Sequence, residues 1–241
     1  MRLAVLSDIH ANLEALDAVL DAGRARCVDA WLCLGDIVGY GADPHACLEL
    51  VRDLTDQVVL GNHDAAAIGL QDLAYFNPYA RRAAEWTMEQ LSAAERQYLV
   101  SLPLVIERGE ALFVHAEPRR PGAWGYVFDL AGATAALRAT ERRFCFVGHS
   151  HYPFLCAERD GDLALLPDGV QPLGAETRYL ANVGSVGQPR DGDSRACFAL
   201  WDQEKDTLEL VRCPYDVETA QHKIIAAGLP PFLAERLAQG Q

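Results

Sequence analysis

Nothing in this chain supplies the positive charge that a polyanion would need. Its 21 lysines and arginines stand against 34 aspartates and glutamates, a formal net charge of −13. Such a chain repels DNA, RNA and anionic membrane, so no nucleic-acid polymer and no membrane is expected as partner. A small anionic substrate held by metal ions is still allowed. No apolar run is long enough to span a bilayer. The N-terminus passes from Met1-Arg2 into a strand-like run without the layout of a signal peptide. The seven cysteines include no CxxC pair. Their odd number argues against a disulfide framework, and a cytoplasmic location is expected. Cys33 and Cys145 fall inside predicted strands, where a free thiol packs as a small apolar group. Repeats, low-complexity tracts and Pro- or Ser-rich linkers are missing too. Half of the 241 residues are apolar, and the expectation is a single domain over 1–241 with a sizeable core.

What the chain does have is a set of short apolar runs that stop abruptly at polar residues. Leu32-Cys33-Leu34 ends in Gly35-Asp36. The run reads as a buried strand, the glycine allows a turn and a close approach, and Asp36 is left at the carboxyl edge of a sheet, where open α/β folds place their ligands. Four more runs behave alike. Leu3–Leu6 meets Ser7-Asp8-Ile9-His10, and Val58–Leu60 meets Gly61-Asn62-His63-Asp64. Ala111–Val114 meets His115, and Phe144–Val147 meets Gly148-His149-Ser150-His151. Five of the seven histidines lie in these stretches. Together with Asp8, Asp36 and Asn62 they point to a metal or catalytic site.

Strand 2–6, a helix from about Asn12 with Gly23 as its stop, strand 30–34, a helix opened by Asp43-Pro44 and running to about Leu54, and strand 57–60 alternate as in a parallel sheet with helical crossovers. His45 is expected on the surface. The stretch 65–101 is expected to be mostly helical, with Ser92–Glu95 as a capping box. Tyr75, Phe76 and Tyr79 are read there as core anchors, with a substrate-pocket wall as the alternative. Arg108-Gly109-Glu110 joins a hairpin, 103–107 with 111–115. A helix near 129–140 leads to strand 143–147. Short strands from Tyr152 to Arg212 are expected to form a second, largely antiparallel sheet, and the tail from Asp216 to be helical. The glycine-rich run Asn182–Arg190 either lines the site or simply connects strands.

Asp8-x-His10 sets two potential ligands on one turn, and His149-x-His151 repeats the device. With Asp36, Asn62 and His115 they make seven candidate ligands. Two ions sharing Asp36 as a bridge would use them all. The mixed His/Asp/Asn set suits Mn²⁺ foremost, with Fe, Zn²⁺ or Ni²⁺ as alternatives, and the lack of cysteine argues against a structural zinc cage. Two such ions can clamp a phosphoryl group and activate a bridging hydroxide. His63, beside Asn62 and ahead of Asp64, which can orient its ring, is the candidate to protonate the leaving group.

In this order the five blocks resemble the calcineurin-like metallophosphoesterase superfamily over residues 8 to 151. The resemblance implies a four-layer αββα sandwich of two sheets flanked by helices. It implies that Asp8, His10, Asp36 and His151 hold one ion, that Asp36, Asn62, His115 and His149 hold the other, and that His63 is the acid. The stretch Asn182 to Arg195 is similar to a segment of bacterial and archaeal members of unassigned substrate. Protein serine/threonine phosphatases and symmetrical dinucleoside-tetraphosphate hydrolases carry an Asp-Arg pair just after the bridging Asp, but here the place reads Gly39-Tyr40. Tyr40, Arg119, Arg120 and Arg190 remain as candidate substrate contacts. The expected activity is hydrolysis of a small phosphodiester or nucleotide-type phosphoester, with a dinucleoside polyphosphate hydrolase or a phosphomonoesterase as alternatives. A metal-binding interaction scaffold is the non-enzymatic alternative, which need not retain His63.

Overall fold

The computed structural model describes all 241 residues. It opens with β1 (Arg2–Leu6), α1 (Leu13–Ala25), β2 (Ala30–Cys33), α2 (Pro44–Leu54) and the short α3 (Asn62–Ala67). A 3₁₀ turn at Leu73–Tyr75 precedes α4 (Pro78–Gln90) and α5 (Ala93–Ser101). The hairpin β3 (Val105–Arg108) and β4 (Ala111–Val114) is followed by a 3₁₀ turn at Pro121–Ala123, α6 (Leu130–Arg138) and β5 (Phe144–Val147). Then come β6 (Phe154–Arg159), β7 (Asp162–Leu165), β8 (Gln171–Pro172), β9 (Arg178–Asn182), β10 (Ala196–Asp202) and β11 (Thr207–Cys213), and last α7 (Val217–Ala226) and α8 (Pro231–Gln239).

Local chemistry sets several helix ends. Asn12 accepts from Ala15 N at the start of α1, and Ser92 and Glu95 form the expected capping box of α5. These bonds satisfy amides that the first helical turn leaves open. Asp43 precedes α2 as expected but makes no cap bond, because its carboxylate binds Lys223 Nζ at 2.9 Å. Gly23 does not stop α1, which runs on to Ala25. A Cβ at Gly23 would lie 2.1 Å from the Trp31 ring, so the glycine makes room for the indole against the helix.

One sheet has the order β2-β1-β10-β11-β8 and the other β3-β4-β5-β9-β6-β7. Both are mixed: β1–β2, β4–β5 and β5–β9 are parallel, and the remaining pairs are antiparallel. Two expectations need correction. The run 57–60 contributes a single parallel bridge from Val58 to Cys33, because the amide that follows Val59 N on that side, Gly61 N, goes to Asp64 Oδ2 (3.2 Å), and Gly35 O takes Asp8 N instead (3.0 Å). The strands after Tyr152 do not make a sheet of their own. β6, β7 and β9 extend the sheet of β4 and β5, while β8, β10 and β11 complete the sheet of β1 and β2.

Each central strand is buried on both faces. Leu3 and Val5 of β1 meet Phe113, Phe144 and Phe146 between the sheets, while Ala4 and Leu6 point the other way, toward Leu16 and Val19 of α1. In the second sheet Leu112, Val114, Cys145 and Val147 face Ala133, Ala136 and Leu137 of α6. Side chains alternate along a strand, so a strand covered by helices on one side and by a sheet on the other reads as a continuous apolar run. The result is the expected αββα sandwich. All seven cysteines are free, and only Cys27 is exposed. No helix is long and apolar enough to cross a membrane.

Candidate metal centre

The polar residues that end the central strands converge at one edge of the sandwich. Asp8, His10 and His151 offer ligand atoms that all lie within 4.8 Å of one another, and Asp36, His115 and His149 do the same. Asn62 joins the second group, its Oδ1 3.1 Å from His115 Nε2. Asp36 Oδ2 stands between the groups, 3.4 Å from His115 Nε2 and 3.7 Å from His10 Nε2. Asp8, His10, Asp36, His149 and His151 all have positive φ, between 51° and 65°. That backbone region costs on the order of 1 kcal/mol or more for a non-glycine residue and persists where the surroundings over-determine it. Here His10 N is bound to Asp36 O (2.9 Å), Gly148 N to His115 O (2.9 Å) and Gly187 N to Asp8 O (2.9 Å). Gly35, at φ 92°, makes the turn into Asp36, and a Cβ there would lie 2.5 Å from Gly61 N.

The ring nitrogens test whether metal ions suit this site. His10 Nδ1 reaches Val38 O (3.1 Å), His151 Nδ1 reaches Gln188 O (2.5 Å), His115 Nδ1 reaches Leu34 O (2.8 Å) and His149 Nε2 reaches Trp124 O (3.0 Å). A carbonyl only accepts, so each of these nitrogens carries its ring's proton. In the neutral rings the other nitrogens are lone pairs that face one another: His10 Nε2 and His151 Nε2 are 3.0 Å apart, and His115 Nε2 and His149 Nδ1 are 3.2 Å apart. The carboxylates follow the same plan. Asp8 Oδ2 accepts from His149 N (2.9 Å) and Asp36 Oδ1 from His63 N (2.8 Å), while Asp8 Oδ1 and Asp36 Oδ2 are buried with no hydrogen-bond partner. Lone pairs and bare carboxylate oxygens turned toward each other in a buried space suit cations, and carbonyl-anchored imidazoles are the usual outer support of metal ligands. Burial by itself would lower His115, but the facing carboxylates, Asp36 first, together outweigh it and lift His115 to about 9. His115 Nε2 then takes up a second ring proton facing Asp36 Oδ2, in the position where a cation would compete with it.

His63 lies over this floor, its ring centroid 4.9 Å from that of His10, 4.4 Å from Tyr40 and 4.9 Å from Phe76. Burial pushes it down to about 4 against the pull of Asp36. Asp64 does not orient it. The two Asp64 oxygens accept from Val38 N (3.1 Å) and Gly61 N (3.2 Å), and His63 Nδ1 is buried with no partner. Adjacent residues of a helix point to different sides, so Asp64 holds the turn instead. Burial, then Asp36, pushes its carboxyl up to about 7.

Of the candidate substrate contacts, Tyr40 and Arg190 reach the site. The Tyr40 ring lies 4.7 Å from His10, and the Arg190 guanidinium is 5.7 Å from the Tyr40 ring centre. Arg190 Nη2 donates to Gln188 Oε1 at 2.8 Å, while its buried Nε has no partner. Arg119 is turned away onto Glu117 (2.6 Å), and Arg120 is exposed at a 3₁₀ turn; neither lines the cavity beside the centre. That cavity, about 530 Å³, is bounded by Asn62, His63 and His149 and walled by Tyr40, Tyr75, Phe76, Trp124 and Tyr126. Tyr75 is therefore not a core anchor, being 83 % exposed, while Phe76 does both: it borders the cavity and packs, partly buried, against the core cluster that holds Ala80, Ala83 and Leu233. Tyr79 instead stacks on Phe232 at 4.7 Å. His45 pairs with Glu95 (2.7 Å) near the surface, as expected. The run 182–190 lies under the site: Ser185 Oγ donates to Asp8 O (2.8 Å), and Gln188 O anchors His151. The sequence reading missed the anchoring carbonyls of Leu34, Val38, Trp124 and Gln188, which no residue type signals, and it missed Gln71, whose Oε1 accepts the Trp124 indole N–H at 2.9 Å.

Two mixed sheets packed face to face, with buried Asp, His and Asn side chains gathered where parallel strands end, define a phosphoesterase architecture. A family model for the calcineurin-like phosphoesterase superfamily domain matches residues 1–206, and the chain belongs to that superfamily, whose members are metal-dependent phosphoric ester hydrolases. The chain is 43 % identical to an uncharacterized protein of Methanocaldococcus jannaschii, MJ0912, over 99 % of this chain and 98 % of that one. A crystal structure of a metallophosphoesterase from Sphaerobacter thermophilus superposes with a TM-score of 0.88 at 44 % identity, covering 100 % of this chain and 99 % of that one. The hypothetical protein PH1004 from Pyrococcus horikoshii OT3 shares the fold at 21 % identity, with a TM-score of 0.81 over 100 % of this chain and 98 % of that one.

Proposed function

We propose that this protein is a dinuclear phosphoesterase that hydrolyses a small phosphodiester or nucleotide-type phosphoester. The observation that carries the reading is the set of inward-facing histidine nitrogens and partnerless carboxylate oxygens, sorted into two groups that share Asp36. Asp8, His10, Asp36 and His151 would hold one ion, and Asp36, Asn62, His115 and His149 the other, Mn²⁺ being the ion the donor set favours. When bound, the ions supply Lewis-acid charge for the phosphoryl oxygens and lower the pKa of the attacking water. The protein's own groups do the rest. Arg190 brings positive charge to the same pocket, and Tyr40 packs beside His63 to hold its ring. His63 donates a proton to the departing oxygen through Nε2, the nitrogen not enclosed beside Gly39. Burial holds that imidazole neutral, so the bound phosphoryl anion has to raise its proton affinity for the acid role.

Two measurements test this reading. Chelation followed by dialysis is expected to abolish hydrolysis of bis-p-nitrophenyl phosphate, and Mn²⁺ to restore it. The same addition is expected to raise Tm, since an ion at about 100 times its Kd adds roughly 2.7 kcal/mol per site. Undiminished turnover in chelator would overturn the proposal, and metal binding without hydrolysis of any phosphoester would favour the scaffold. Diesters are expected to be preferred over monoesters. The one arginine at the site has an Nη committed to Gln188, so a dianionic monoester is not gripped by a free bidentate clamp. The ratio of kcat/KM for bis- and mono-p-nitrophenyl phosphate measures this. A monoester preference of about tenfold, roughly 1.4 kcal/mol, would reverse the view.

A further inference from the structure

The cavity beside the candidate centre is larger than a phosphoryl group requires, and its walls have a chemistry of their own. It measures about 530 Å³, within the roughly 300–1,000 Å³ range of small-molecule sites. Tyr75 and Phe76 come from the segment before α4, and Trp124 and Tyr126 from the segment between β4 and α6, so two separate loops enclose one space. Phe76 is spent on His63, edge to face at 4.9 Å, and Tyr126 stacks on His149 at 4.1 Å. Tyr75 is 83 % exposed, a large apolar face left to water at the mouth of the cavity.

Two amides line the same walls with fixed orientations. Asn77 Oδ1 accepts from Tyr79 N and Ala80 N, both at 3.0 Å, and Gln71 Oε1 accepts the Trp124 indole N–H at 2.9 Å. Those bonds assign the oxygens, so each side chain presents its NH₂ as a donor. The indole bond fixes the Trp124 ring, and the left-handed backbone there, φ 54°, is held by Trp124 N on Pro121 O and by His149 Nε2 on Trp124 O.

We propose that this cleft is a nucleobase subsite: it stacks a planar heteroaromatic group on Tyr75 and Trp124, reads the ring's acceptor atoms with Asn77 and Gln71, and places the attached phosphoester at His63 and His149. Planar rings stack on aromatic walls whatever their identity, and purines and pyrimidines carry ring-nitrogen and carbonyl acceptors for the two NH₂ groups. An alkyl chain fills apolar space equally well but leaves both donors unpaired. The proposal rests on the phosphoesterase reading for what is cleaved, and not for what is bound.

The experiment separates the two. Adenosine and uridine, which carry no phosphate, are titrated into Mn²⁺-loaded protein while tryptophan emission is followed. Both are expected to quench it and to inhibit bis-p-nitrophenyl phosphate hydrolysis competitively. Trp124→Phe is expected to remove most of the quench. Tyr75→Leu, at an exposed position that folding tolerates, is expected to weaken adenosine binding by about fivefold or more, the lower end of base–aromatic stacking. It is also expected to lower, by a similar factor, the kcat/KM ratio of thymidine 5′-(p-nitrophenyl phosphate) over methyl p-nitrophenyl phosphate. Nucleoside binding without any ester hydrolysis supports the subsite and defeats the catalytic reading. Hydrolysis with nucleoside Kd values weaker than about 10 mM, or with binding indifferent to Tyr75→Leu, overturns the subsite.

Discussion

Asp36→Asn is expected to abolish turnover, lowering kcat/KM by about 10³-fold or more. One oxygen of this carboxylate is fixed by His63 N, and the other is buried without a partner between the two histidine groups. An asparagine keeps the shape and the first bond but removes the negative charge that would offset both proposed cations. Metal-assisted transition-state stabilisation is worth several kcal/mol, and about 4 kcal/mol corresponds to the stated loss. Metal content should fall at both sites together, because the residue is shared. Full turnover of Asp36→Asn in added Mn²⁺ would sink the bridging assignment.

His63→Gln has a different signature. His63 offers no atom to either ligand group, so the variant is expected to retain both ions. General acid catalysis contributes about 10²–10⁴-fold, and only where the leaving oxygen needs a proton. A ribose alkoxide needs one and p-nitrophenolate does not, so the loss should be far greater on a nucleotide ester than on the activated ester. It should appear in kcat and kcat/KM together, as for a contact made only in the transition state. Equal losses on both esters would make His63 a positioning residue, and a lost ion would make it a ligand.

The first expectation was legible in the sequence because its signal is local. An apolar run covered on both faces and broken by Gly-Asp, Asn-His or a histidine pair declares a strand end, and Asp8, His10, Asp36, Asn62, His115, His149 and His151 could each be named from their places in such runs. Tertiary structure alone decided which strands pair. β10 joins β1 across nearly the whole chain, and strand pairing follows which apolar faces meet, while residue order constrains only neighbours. It also decided what surrounds the candidate ligands. Asp64 follows His63 directly, yet turns to the amides of Val38 and Gly61. Arg119 and Arg120 carry the charge that an anion would want but leave the site, while Arg190 enters it. The carbonyls of Leu34, Val38, Trp124 and Gln188 that set the histidine tautomers belong to residues whose side chains announce nothing. A backbone acceptor has no sequence signature, and its position is known only once the loops are folded around the strand ends.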